Sequence, residues 1–100
     1  MAELSGKQRR HLRALGHHLQ AVVQVGHEGV TEALARQTDA QLEAHELIKV
    51  RVGENAPLDR HAAAQALADR CGAQVAQVLG RTALLYRRRE QKPEIALPAK

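Results

Sequence analysis

Aromatic residues are almost missing from this chain. Tyr86 is the only Phe, Tyr or Trp in 100 residues. No set of ring faces exists on which successive bases stack, which argues against single-strand readers of the RRM or OB type. Cysteine is as scarce: Cys71 stands alone, so no intrachain disulfide can form and no cysteine-based zinc site can be built. No apolar run approaches the length of a bilayer crossing, and the start, Met1-Ala2-Glu3-Leu4-Ser5-Gly6-Lys7, lacks the apolar core of a secretory leader. A reducing cytoplasm is the expected location. Acidic residues are thin at both ends. Residues 1–18 set Lys7, Arg9, Arg10 and Arg13 against Glu3, and residues 81–100 set Arg81, Arg87, Arg88, Arg89, Lys92 and Lys100 against Glu90 and Glu94.

What is present suits one small domain. The chain is 44% hydrophobic, and its core must come from Leu, Val, Ile and Ala. The net charge is +4 and the isoelectric point about 9.8. Glu32, Asp39, Glu43, Glu46, Glu54, Asp59 and Asp69 collect in the middle. Bases clustered at the two ends of the chain suit an anionic polymer as partner.

One stretch organises the rest. Val22-Val23-Gln24-Val25 has strand character, Gly26-His27-Glu28-Gly29 is a turn, and Thr31 opens a helical pattern. Two glycines therefore stand at the mouth of a helix, where unpaired N–H groups and the positive end of the macrodipole favour an anion. Without Cβ atoms, Gly26 and Gly29 allow a phosphate backbone to come close. An aspartate at Gly29 is expected to abolish most anion binding at modest cost to folding.

In chain order, Ser5-x-x-Gln8 reads as a capping box. Leu12, Leu15 and Leu19 mark the apolar face of the helix that follows, with Arg9, Arg10 and Arg13 largely on the others. Gly16 weakens that helix or marks its final turn. The near-continuous apolar run at residues 21–25 predicts a strand covered on both faces. Ala33, Leu34, Thr38 and Leu42 mark the inner face of the second helix. In residues 46–52, Ile48, Val50 and Val52 face one way and Lys49 and Arg51 the other. Asp59 caps an alanine-rich third helix that carries Cys71 on its apolar side and ends at Gly72. Residues 75–79 and 82–87 form two strands joined by a type II′ turn at Gly80-Arg81. The predicted order is α-β-α-β-α-β-β: a single compact α/β domain over residues 1–90 with a four-stranded mixed sheet. Residues 91–100 form an extended C-terminal tail. Right-handed crossovers place the second and third helices on one face.

The six histidines make no metal-ligand pattern: His17 and His18 are adjacent, and His11 and His18 lie too far apart along a helix for one ion. No nucleophile with its base stands out, and neither an enzyme nor a cofactor site is expected. A different class of function, a protein-interaction adaptor using the acidic middle helix against a basic partner, is the alternative.

Four segments together resemble the CRM domain (chloroplast RNA splicing and ribosome maturation), in its bacterial stand-alone YhbY-like form. They are residues 4–13, LSGKQRRHLR; 22–31, VVQVGHEGVT; 45–50, HELIKV; and 80–87, GRTALLYR. The resemblance implies a fold like the C-terminal domain of bacterial translation initiation factor three. It also implies RNA binding, specifically to ribosomal RNA in precursors of the large subunit, and a part in ribosome assembly; a monomer is expected. Carried over by position, the RNA-binding residues are Gly26, His27, Glu28 and Gly29 at the GxxG loop and Lys7, Arg9, Arg10 and Arg13 on the first helix; Thr31 and, near the C-terminus, Arg81, Arg87 and Arg88 complete the expected RNA-binding set. Loops of this family often carry lysine where this chain has His27, and Glu28 adds a negative charge. The loop is thus expected to contribute geometry and backbone N–H groups, and the arginines the charge.

Overall fold

Three caps start three helices. The computed structural model describes residues 3–100. Ser5 caps α1 (Gly6–Gly16): its hydroxyl accepts the Gln8 N–H at 3.1 Å, and the Gln8 amide oxygen accepts the Ser5 N–H at 3.1 Å. Thr31 caps α2 (Glu32–His45) by accepting the Leu34 N–H at 3.1 Å. Asp59 caps α3 (Arg60–Cys71), accepting from His61 and Ala62 at 2.8 and 3.0 Å. Each such cap is worth about 1 kcal/mol.

The strands are β1 (Ala21–Val25), β2 (Leu47–Val52), β3 (Gln74–Leu79) and β4 (Thr82–Tyr86), in the spatial order β1-β2-β4-β3. β1 and β2 are parallel, and β4 runs antiparallel to both its neighbours. The chain is therefore a single α/β domain with a four-stranded mixed sheet, and its elements follow the order that the sequence pattern predicts. The turn between β3 and β4 has the φ pattern of type II′, positive at Gly80 and not at Arg81.

Alternation in β2 divides the core. Val23, Val25, Ile48, Val50 and Val52 pack with Leu42, Leu67 and Cys71, so α2 and α3 share one face. On the other face Leu4 and Leu12 meet Leu47, Ala76, Leu84 and Tyr86, and Ile95 and Leu97 pack against this second cluster. Gly16, in the last turn of α1, packs closely on β4: a Cβ there would lie 2.6 Å from Leu84 Cδ1.

Some details differ from the sequence reading. β1 is an edge strand, not one covered on both faces. Val23 and Val25 are buried, while Val22 and Gln24 are exposed. The run of valines hides an alternation that shows because α1 packs chiefly on β2 and β3, not over β1. Leu12 is buried as expected, but Leu15, in the last turn of α1, and Leu19, beyond its end, stay 44% and 37% exposed. In α2 the buried residues are Ala35, Thr38 and Leu42, and Ala33 is exposed.

The C-terminal segment is fastened by one carboxylate. Glu46, between α2 and β2, has φ +64° and a fully buried side chain. Its carboxylate accepts backbone N–H groups from Arg89 at 2.9 Å, Glu94 at 2.7 Å and Ile95 at 2.9 Å. Its own N–H donates to the Leu42 carbonyl and its carbonyl accepts from Arg87 N–H. Burial pushes the Glu46 pKa up, but the three backbone donors and the Arg89 charge outweigh it, and the net shift is downward.

Glu46→Ala leaves three donors without their acceptor, and urea unfolding should show a loss of about 3 kcal/mol. Glu46→Gly should lose less, because glycine relieves a positive φ worth about 1 kcal/mol. The lowered pKa also sets a pH dependence. The stabilisation is fully present above the unfolded value near 4.5 and is lost as pH falls through the lower folded value. Between neutral pH and pH ~3 the wild type should therefore lose more stability than Glu46→Gln, whose amide does not titrate.

Candidate nucleic-acid interface

β1 delivers the glycine turn at its C-terminal end, on the edge of the sheet. The Gly29 N–H donates to the Gly26 carbonyl at 3.0 Å, closing a turn with His27 and Glu28 exposed at its tip. The Gly53 N–H donates to the Val25 carbonyl at 2.9 Å and ties the entry of the turn to the end of β2. Thr31 follows as the cap of α2, so the first-turn N–H groups of the helix open beside the turn. Gln24, Gly26, His27, Glu28, Gly29 and Thr31 line one depression, and no lysine or arginine takes part in its lining.

The two glycines do different things. Gly29 is required by the fold: its φ is +75°, it is buried, and a Cβ would lie 3.1 Å from Pro57 Cγ. Gly26 is under neither constraint. Its φ is not positive, and a Cβ would meet nothing within 4 Å. This alters the expectation for aspartate at Gly29, which would strain the backbone and crowd Pro57 as well as repel an anion. Gly26 is the position where a side chain tests access without disturbing the fold.

The cations are spread over three places. α1 packs against β2 and β3, away from the β1 edge, and carries Lys7, Arg10 and Arg13 exposed, with Arg9 half-buried in a cleft that also holds Glu3 and Asp69. Arg13 shares a groove with His17, Lys49, Gln77 and Thr82. Arg81, in the β3–β4 turn, is half exposed and pairs with Glu54 at 3.8 Å. Arg88 is exposed, but Arg87 is engaged within the fold. Its guanidinium pairs with Asp39, reaches Glu43 at 3.4 Å and donates to the Cys71 carbonyl at 2.9 Å.

Two cations escaped the sequence reading as site candidates. Lys49 and Arg51 project from β2 on the face opposite α2 and α3. Their alternation was visible, but its meaning depends on which neighbours stand beside them. The register pairs Gln24 with Arg51 and Arg51 with Thr82 across three strands. Neither α1 nor any of the four strands contains Asp or Glu, whereas α2 carries Glu32, Asp39 and Glu43 and α3 carries Asp69. Cys71 is a core residue: its thiol donates to the Ala35 carbonyl at 3.4 Å, and burial pushes its pKa up. Among the described residues no group of three or more His, Cys, Asp or Glu side chains is placed to hold a metal ion, and no helix is long and apolar enough to cross a membrane.

The CRS1/YhbY (CRM) domain model matches residues 4–87. The chain belongs to the CRM domain family. It is 41% identical to the "Probable RNA-binding protein YqeI" of Bacillus subtilis (strain 168), over 95% of this chain and 99% of that one. It is 36% identical to a Haemophilus influenzae protein named "RNA-binding protein", over the full length of both. Its fold matches the solution structure of SAV1595 from Staphylococcus aureus, described there as a candidate RNA-binding protein. The TM-score is 0.82 and the identity 38%, covering 96% of this chain and all of that one.

The contacts of Arg87 separate a structural arginine of this CRM domain from an exposed one. Arg87→Ala should lower stability by about 2 kcal/mol, since it removes charge-assisted bonds that join α2 to the end of α3. Arg88→Ala should change it by less than about 0.5 kcal/mol. Denaturant titration of the two variants distinguishes them.

Proposed function

We propose that this CRM domain binds RNA, with the turn at residues 26–29 as the point of closest approach. The observation that carries this reading is Gly26. The fold does not require glycine there, yet the position leaves bare backbone open to solvent beside the first turn of α2. A phosphate seated there meets N–H donors and the positive end of the helix. Gly26, His27, Glu28, Gly29 and Thr31 shape the contact. Lys7, Arg9, Arg10 and Arg13 supply charge from α1, and Arg81 and Arg88 from the C-terminal side, while Arg87 serves the fold. The names of the relatives support RNA as the ligand, and the family resemblance supports ribosomal RNA of the large-subunit precursor, bound by a monomer in the cytoplasm to assist assembly. The domain works as a binding module, without turnover or cofactor. The adaptor alternative is weakened because Asp39 and Glu43, central to the acidic helix, are already paired with Arg87.

Filter binding with large-subunit ribosomal RNA tests the reading. With about four phosphate contacts, affinity should fall about a hundredfold between ~50 and ~200 mM salt. Gly26→Asp should lose at least about tenfold in affinity, a penalty of about 1.4 kcal/mol, with an unchanged circular dichroism spectrum; Gly26→Ala should lose less. Wild-type affinity in Gly26→Asp would remove the turn from the contact. Crosslinking in cells should recover sequence from the large-subunit precursor, and recovery of unrelated RNA would refute the ribosomal assignment.

A further inference from the structure

The sheet face that α1 packs on is left uncovered around Gln24 and Arg51, and this part bears on what kind of RNA the domain takes. Gln24 lines the depression of the turn and is the cross-strand neighbour of Arg51. Arg51 stands two residues beyond Lys49 on the same strand and the same face, about 6.7 Å further along. Lys49 and Arg13 line one groove. The depression, Gln24, Arg51, Lys49 and Arg13 thus make one continuous path from the β1 edge to the end of α1. Arg13, Lys49 and Arg51 form no ion pair among the described residues, and the elements that carry them contain no acid. The arginines engaged within the fold, Arg87 and Arg89, lie elsewhere.

Along the same path the exposed rings are two imidazoles, His17 in the groove of Arg13 and His27 at the tip of the turn, one at each end and with no ring at Gln24, Arg51 or Lys49 between them. Tyr86 is 3% exposed, packed in the cluster beneath α1, and the chain has no Phe or Trp. Single-strand readers hold splayed bases against aromatic faces, whereas a base-paired helix covers its bases and presents phosphates and 2′-hydroxyls. Lys and Arg recognise the phosphates, and the Gln24 amide is able to donate to and accept from a 2′-hydroxyl.

We infer that the ligand is base-paired RNA, laid across the part of this acid-free sheet face that α1 leaves uncovered, with Gln24, Lys49 and Arg51 as its contacts between the glycine turn and Arg13. This rests on the RNA-binding reading and narrows it to a class of RNA and a set of residues.

Fluorescence anisotropy at one salt concentration tests it, using an RNA duplex of about 16 base pairs and polyuridine of matching length. The duplex should bind at least about tenfold tighter than polyuridine. Lys49→Gln/Arg51→Gln should weaken duplex binding about tenfold and flatten its salt dependence by about two phosphate contacts. Arg36→Gln/Arg70→Gln, with equal charge loss on the helical face, should change it less than twofold. Thermal unfolding of each variant checks that the substitutions, at half-buried Lys49 and exposed Arg51, Arg36 and Arg70, leave the fold intact. Polyuridine binding as tightly as the duplex would overturn the inference and leave RNA binding standing. Duplex binding unaffected by Lys49→Gln/Arg51→Gln would also overturn it, by removing the sheet face. Failure of both RNAs to bind would overturn the RNA-binding reading and this inference with it.

Discussion

A buried carboxylate is costly to desolvate unless hydrogen bonds compensate it, and Glu46 meets that condition with backbone donors alone. Three N–H groups from residues 89, 94 and 95 converge on it. Its backbone joins the end of α2 to the residue after β4. Much of the molecule's shape follows from this. The C-terminal segment is drawn across the α1 face, where Ile95 and Leu97 complete the second apolar cluster. Arg89 is carried with it to the last carbonyls of α2, at Glu43 and Ala44, where a cation complements the helix dipole. The strained φ of Glu46 is offset by the three hydrogen bonds that its side chain accepts.

The same arrangement sorts the charges. Sequence counting treats the run Arg87-Arg88-Arg89 as one basic patch, but the backbone path past Glu46 separates its members. Arg87 neutralises Asp39 and Glu43, Arg89 pairs with Glu94, and Arg88 alone points outward. Acidic residues on α2 are thereby partly cancelled, while α1 and β2 keep cations with no acid on the same elements. The polarity of the molecule comes less from its net charge than from which arginines the fold has used.

The fold was legible because local signals agreed with one another. Capping residues at 5, 31 and 59, alternation in residues 47–52 and the turn at Gly80-Arg81 each specify an element on short-range physics. What the sequence could not show was set by neighbours distant in the chain. β1 reads as a two-sided strand because valine at 22 and 23 looks the same whether or not a second layer exists. Leu15 looks like core by its spacing from Leu12, but it is Gly16 that packs against Leu84. Among the site candidates, the turn itself was legible, since glycines before a cap have a local signature. Lys49 and Arg51 were visible only as the outward half of an alternation. Their place beside Gln24 arises from the parallel register of β1 and β2, which no local pattern encodes.

The turn also shows why a motif's residues need not share one role. Gly29 answers to the fold, through its positive φ and the closeness of Pro57, and would be retained whether or not anything bound. Gly26 answers to neither constraint. On the proposed reading it is the approach of a ligand that keeps a side chain away from it. His27 and Glu28 fit that division. With a carboxylate at the tip and Glu32 in the first turn of α2, the turn is a poor source of positive charge. Its useful chemistry lies in backbone N–H groups held in a fixed arrangement, which hydrogen-bond a phosphate whatever the side chains carry. Attraction over distance must then come from elsewhere, and the acid-free elements beside the turn are able to supply it. Geometry at the turn and charge on the neighbouring face are separate contributions to one contact, so a substitution in either is able to leave the other intact.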